Sequence, residues 1–195
     1  MADMKRAYAE ALCALLEEKP LDKIRVKDIT SRLGVSRQSF YYHFDSIHEV
    51  LAWIYAGAAE NFLNQFGSME NWPYAYLLVL KWMQERKKLV MNTYHSLERE
   101  YVEFFMQGVL SRYTRPIAAA QATGMRVSEG QSCFVADFYT RAVVAATLEW
   151  VRTEMRETPE ELVRKVCTLL KGSFAHALTN FARENSNGFD KKEKV

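Results

Sequence analysis

Apolar positions recur at helical spacing from the start of the chain. Between Met4 and Glu18 they are Tyr8, Ala11, Leu12, Leu15 and Leu16, and Lys19-Pro20 ends the run because proline disfavours helical geometry in the residue before it. A second short helix is expected from about Val26 to Leu33, with Val26, Ile29 and Leu33 inward and Gly34 as its stop. Ser36 has the side chain of an N-cap for a third helix through Phe44. Ser46-Ile47-His48-Glu49 has the spacing of a capping box and opens a fourth, expected to reach about Phe66 and to end at Gly67-Ser68. Asn71-Trp72-Pro73 restarts a helix that runs to about Leu97 with a break between Arg86 and Leu89. A long helix follows from Leu97 to Ala122, kinked or divided at Pro116 and closed by Gly124. Ser128-Glu129-Gly130-Gln131 and Thr158-Pro159-Glu160-Glu161 open the last two, about 129–155 and 159–183.

The fold expected is therefore all-α: an N-terminal three-helix domain over residues 1–47, a larger helical domain over 48–184, and a polar, disordered tail over 185–195. Composition agrees, since eight Gly and four Pro in 195 residues leave little material for the turns of an all-β fold. A net charge of +2 excludes a polybasic chain that coats nucleic acid, but leaves room for a local basic face. No stretch approaches the roughly 18 apolar residues that span a bilayer, and the charged N-terminus is unlike a signal peptide. Cys13, Cys133 and Cys167 are too scattered for a disulfide framework or a zinc ladder and read as buried packing thiols. The expected setting is the cytoplasm.

Three short helices, the last two joined by Leu33-Gly34-Val35-Ser36, make the pattern of a helix-turn-helix. At about 100° per residue, Phe40 and Phe44, with Ile47 continuing the stripe, face the core. Arg37, Gln38, Tyr41 and Tyr42 share another face, with His43 at its edge. Arg37 suits guanine or phosphate, Gln38 an adenine edge, and the tyrosine hydroxyls phosphates. On spacing alone, a helical hairpin with a core edge at Tyr41-Tyr42-His43-Phe44 fits as well.

Residues 24–51 resemble the DNA-binding signature of the Tet repressor family. The resemblance rests on Val26-Lys27-Asp28-Ile29, Gly34-Val35-Ser36 and Phe40-Tyr41-Tyr42-His43-Phe44 at fixed offsets. It implies a homodimer that places one recognition helix in each half of a palindromic DNA operator. The DNA contacts it implies are Ser36, Arg37, Gln38, Ser39, Tyr41, Tyr42 and His43, with Arg25 and Lys27 at the second helix. Two positions depart from the family: Arg25 stands where threonine is frequent, and Ile47 where lysine is frequent. The Tyr41–Ile47 variant, with Thr93–Ser96 and Asp137–Tyr139, is similar to the branch around dihydroxyacetone kinase regulators, and no dihydroxyacetone-related ligand is inferred from it.

Aromatic and methionine residues are dense beyond Ser46 and serve mostly as core. The family resemblance implies that some line an effector pocket, for which the candidates are Trp82, Met91, Tyr94, His95, Phe105, Asp137, Phe138 and Tyr139. His95 reads equally as a satisfied buried histidine, and Asp137 as a solvated or capping acid. The last two helices are the expected dimer interface, through Val143, Ala146, Trp150, Leu162, Val166, Leu169, Leu170, Phe174 and Leu178, part of which must face the protein's own core. The expected function is an effector-controlled transcription regulator, with repression the commoner behaviour in the family. The alternative is a helical ligand-binding or adaptor protein of the same fold that does not bind DNA. An enzyme is not expected: His43, His48, His95 and His176 lack a Glu three residues before them, and there is no phosphate-binding glycine loop or nucleophile elbow. No metal or cofactor is expected.

Overall fold

Helix breakers in the first fifty residues lie where the backbone turns. A computed structural model describes residues 2–63, 71–97 and 99–192, and among these there is no strand. α1 (Ala2–Leu16) gives way at Pro20 to a 3-10 turn, Leu21–Lys23, then to α2 (Val26–Leu33) and α3 (Arg37–His43). Gly34 takes φ +66°, the left-handed conformation that glycine adopts without a Cβ penalty. Its N–H and that of Val35 return to the Thr30 carbonyl, the latter at 3.0 Å, so the carbonyls at the end of α2 are satisfied.

The larger domain follows as α4 (Ile47–Leu63), α5 (Trp72–Glu85), α6 (Lys87–Tyr94), α7 (Arg99–Gln121), α8 (Glu129–Arg152), α9 (Pro159–Leu170) and α10 (Ser173–Lys192). The all-α architecture is as expected: a helix-turn-helix domain, then a larger helical one. The end of α4 expected at Gly67-Ser68 lies outside the described residues. Ser128 with Gln131 and Thr158 with Glu161 form reciprocal capping boxes. The Ser46 box is shifted by one residue. Ser46 Oγ accepts from the Glu49 N–H at 3.2 Å, but the Glu49 carboxylate takes the Asp45 N–H at 2.6 Å.

Four expectations are corrected. α7 is not divided at Pro116, which sits on an exposed face where water can take the carbonyl that proline leaves without a donor. The helix expected over 159–183 is two, divided at Lys171-Gly172, where Gly172 has φ +71°. The last helix runs past Arg183 to Lys192, because Asn185 Nδ2 donates to the Arg126 carbonyl at 2.6 Å and to Gln131 Oε1 at 2.9 Å, tying the polar end to the start of α8. All three cysteines are half-buried rather than buried, and burial still pushes the Cys13 and Cys167 thiols above their ordinary value.

One core joins the two parts of the molecule. Tyr8, Leu12 and Leu16 of α1, Phe40 of α3 and Phe44 just beyond it are buried together with Val50 and Leu51 of α4 and Leu89 and Val90 of α6. The packing has no gap at the boundary expected at residue 47. A smaller cluster, Ala118, Val135, Ala136, Phe174 and Leu178, holds α7, α8 and α10 together at the other end. Five residues expected at a dimer interface, Trp150, Leu162, Val166, Phe174 and Leu178, are buried within the single chain and cannot form that contact. The apolar residues that α8 does leave exposed include Phe134 and Phe138.

Candidate nucleic-acid interface and ligand cavity

The third helix is oriented by its two phenylalanines. Phe40 and Phe44 are buried, and Tyr8 meets both rings edge-on at 5.4 and 6.2 Å. Turning about 100° per residue, Gln38 and Tyr42 then point directly outward. Arg37 and Tyr41 occupy one shoulder of the helix, Ser39 and His43 the other. Exposure follows this geometry: Arg37 and Gln38 are exposed, and Tyr41 and Tyr42 expose 56% and 72% of their surface, too much for core residues. Ser36 caps the helix, its Oγ accepting the Ser39 N–H at 3.1 Å.

Ser39 and His43, both expected to touch DNA, are half-buried against Tyr8. The Tyr8 hydroxyl donates to Ser39 Oγ at 2.8 Å, and its ring lies 5.7 Å from that of His43. Tyr8 therefore fixes the rotation of the recognition helix. Sequence reasoning took it only as one more apolar position of α1, and a tyrosine rather than leucine there was the available signal.

α2 is anchored by charge. Asp28 accepts from Lys19 Nζ at 2.8 Å and from the Arg25 N–H at 3.0 Å. Arg25 holds the N-cap position, but a guanidinium only donates, so the helix start has no side-chain cap; Arg25 Nη1 binds the Asp22 carbonyl instead. Arg25 and Lys27 are both exposed. The hydrogen bond from Lys19, then that from the backbone, hold the Asp28 carboxyl below its ordinary value of 3.8. A carboxylate whose folded pKa is depressed stabilises above its unfolded pKa and loses that contribution as pH falls through the folded value. Asp28→Asn is therefore expected to lower stability by about 0.5–1 kcal/mol at neutral pH, a small figure because the pair is only half-buried and water still screens it. Urea midpoints of the two proteins should converge below about pH 4, and a gap that stays constant with pH would remove the carboxylate from the account.

The larger domain holds a cavity of about 240 Å³ among α4, α5, α6, α7 and α8, with Leu170 of α9 and Phe174 of α10 at its wall. Of the eight candidates, Trp82, Tyr94, Phe105 and Tyr139 line it. The other four candidates do not. Met91 packs half-buried on the core, His95 is an exposed residue beyond the end of α6, and Phe138 is 59% exposed. Asp137 is half-buried and held by Arg115 through two hydrogen bonds of 2.8 and 2.9 Å, which keep its carboxyl below the ordinary range. Sequence reasoning missed the α4 wall of Leu51, Tyr55 and Ala59, although their i, i+4, i+8 spacing put them on one face.

Two connections run from the cavity to the DNA-binding domain. α4 starts three residues after Phe44 and lines the cavity a turn later, from Leu51. α6 lines it with Val90, Thr93 and Tyr94, and between them Asn92 Nδ2 donates to the Leu16 carbonyl at the end of α1 at 2.8 Å.

Residues 10–53 match the family model described as bacterial regulatory proteins, tetR family, and residues 70–172 match one described as a transcriptional regulator C-terminal region of the same family. The chain belongs to the TetR family. It is a DNA-binding transcription regulator of that family, whose members are regulators rather than enzymes. It is 24% identical over 102 residues to the HTH-type dhaKLM operon transcriptional activator DhaS of Lactococcus lactis subsp. lactis (strain IL1403), a match over 52% of this chain. The match spans about half the length of that relative, 54%. The solved structure of a dihydroxyacetone kinase operon activator DhaS has the same fold, with a TM-score of 0.66 and 20% identity over 89% of this chain and 97% of that one. A TetR regulator from Streptococcus agalactiae 2603V aligns with a TM-score of 0.57 and 17% identity over 87% and 94% of the two chains. Among the described residues no helix is long and apolar enough to cross a membrane.

Proposed function

We propose that this TetR-family chain acts as a homodimer on a palindromic operator and that a small molecule in the cavity sets its affinity for DNA. The observation that carries the reading is the double duty of α4. Its first turns belong to the core under the recognition helix, through Val50 and Leu51, and its middle turns wall the cavity, through Tyr55 and Ala59. A ligand that displaces α4 therefore tilts α3. Asn92 adds a second linkage, because α6 cannot move without shifting the end of α1.

In this reading Gln38 and Tyr42, pointing outward, enter the major groove, with Arg37 and Tyr41 beside them. Arg25, Lys27 and Ser36 meet phosphates along the edge. Ser39 and His43 serve chiefly to hold the helix against Tyr8, and any contact they make with DNA is through the edge left exposed. Two recognition helices must stand about 34–36 Å apart to enter successive major grooves, so a change of tilt in each subunit changes affinity. Effector control then follows from unequal ligand affinity for the two spacings. The Lactococcus relative is named an activator, so the repression expected from the sequence is not part of the proposal.

Selection of random duplexes by the purified protein at about 0.15 M salt tests it. Enrichment of a palindrome with half-sites about one helical turn apart is expected. A folded protein that enriches nothing, with or without small molecules extracted from its host, would return the chain to the adaptor reading. A reporter driven by the selected sequence then gives the direction of regulation.

A further inference from the structure

We infer that the cavity takes an uncharged, predominantly apolar ring compound of about ten non-hydrogen atoms, and not a polyol, a phosphate ester or a carboxylate. The inference rests on the effector reading and names the chemical class of the ligand.

The walls supply the argument. Among the described residues that line the cavity there is no Asp, Glu, Lys, Arg or His; the lining is aliphatic and aromatic, and its polar groups are tyrosine and threonine hydroxyls and the indole N–H groups of Trp72 and Trp82. Six of those hydroxyls, on Tyr55, Tyr76, Thr93, Thr114, Thr140 and Thr147, bond one another or the backbone. Thr147 Oγ donates to the Val143 carbonyl at 2.8 Å, so across the 2.9 Å contact with Tyr76 it is the tyrosine that donates. Thr93 Oγ donates to the Leu89 carbonyl at 2.9 Å and hydrogen-bonds Tyr55 on its other side. Thr140 repeats the pattern, donating to Ala136 and receiving from Thr114, each at 2.8 Å. Burial raises the Tyr76 hydroxyl to about 12 and pushes Tyr55 up as well, so these walls stay neutral across the physiological range.

A charged ligand would thus lose its hydration with no opposite charge to replace it, and a polyol would set most of its hydroxyls against aliphatic and aromatic walls. A flat apolar ring loses nothing of the kind and meets Trp82 and Phe105. Size follows by comparison: an apolar cavity of about 150 Å³ accommodates benzene, so about 240 Å³ suits a fused bicyclic or a substituted single ring. Dihydroxyacetone, the compound whose kinase operon gives the DhaS activator its name, is both too small and too polar for this space.

The test uses the intact protein and three probes in calorimetric titrations at neutral pH: naphthol, naphthoate and dihydroxyacetone. Naphthol is expected to bind once per chain at least about a hundredfold more tightly than naphthoate, and dihydroxyacetone to give no heat. Ala59→Phe in α4, and separately Val109→Phe in α7, should remove naphthol binding while circular dichroism keeps its helical signal. Naphthoate binding as tightly as naphthol, dihydroxyacetone binding at the same site, or naphthol binding that survives both substitutions would each overturn the inference. Operator binding is measured on the same samples. A charged metabolite that alters operator affinity in the wild type but not in Ala59→Phe would leave effector control standing and sink only the ligand class.

Discussion

Arg37→Ala combined with Tyr41→Ala is expected to cut affinity for the selected operator by more than about a thousandfold while leaving a folded protein. Both side chains lie on the same shoulder of α3, beside the buried face of Phe40 and Phe44, and both are exposed. Tyr41 gives up an edge contact with Phe40 at 5.5 Å, so truncation costs the fold little. On DNA the loss is counted twice, once in each half-site. A direct contact is worth about 1–3 kcal/mol, and four such losses exceed the roughly 4 kcal/mol that corresponds to a thousandfold. Lys27→Ala provides the contrast. If it meets a phosphate, it weakens binding to all sequences alike and lowers the salt slope by about two, one contact being lost in each half-site. Unchanged operator affinity in the Arg37/Tyr41 double variant, with helicity intact, would mean that α3 is not the reading helix.

The helix-turn-helix was legible because its signals are local. Gly34 two residues before a capping serine, and Phe40 four residues before Phe44, determine the turn and the buried face within a dozen residues. The remainder depends on contacts distant in sequence. Leu170, Phe174 and Leu178 keep helical spacing across Gly172, so periodicity carried the expected helix straight through a break that the glycine alone marked. Asn185 extends α10 through partners 54 and 59 residues away, which the polar composition of that segment conceals. The cavity draws its wall from seven helices, and an aromatic residue facing it has the same spacing as one facing solid core. Trp82 and Met91 illustrate this: both are aromatic or sulfur-containing residues packed on the main core, and only Trp82 borders the cavity. Tyr8 was hidden in a different way, as an apolar position whose hydroxyl does the positioning.

The same ambiguity affected the dimer contact, and resolving it leads to the second large effect. Phe134, Phe138, Ala142 and Ala145 fall at i, i+4, i+8 and i+11 on α8 and are all exposed, whereas Val135, Ala136, Val144, Leu148 and Val151 on its other face are buried within the chain. In the homodimer proposed above, an isologous contact through this stripe, with α10 beside it, would bury both phenylalanines in each protomer at about 1.5–3 kcal/mol per ring. Phe134→Asp with Phe138→Asp is therefore expected to give a monomer by sedimentation, with four carboxylates set against one another across the two-fold axis and no loss to the internal core. Operator affinity should fall with it by about 10²–10⁴, because the second half-site is no longer bound intramolecularly. Leu169→Asp on α9, where the side chain is 77% exposed, is the companion variant and should remain dimeric. If Leu169→Asp yields the monomer and the α8 pair does not, the interface runs over α9. The recognition helices would then be spaced by a different axis, and the operator half-sites recovered by selection would have to be fitted to that geometry.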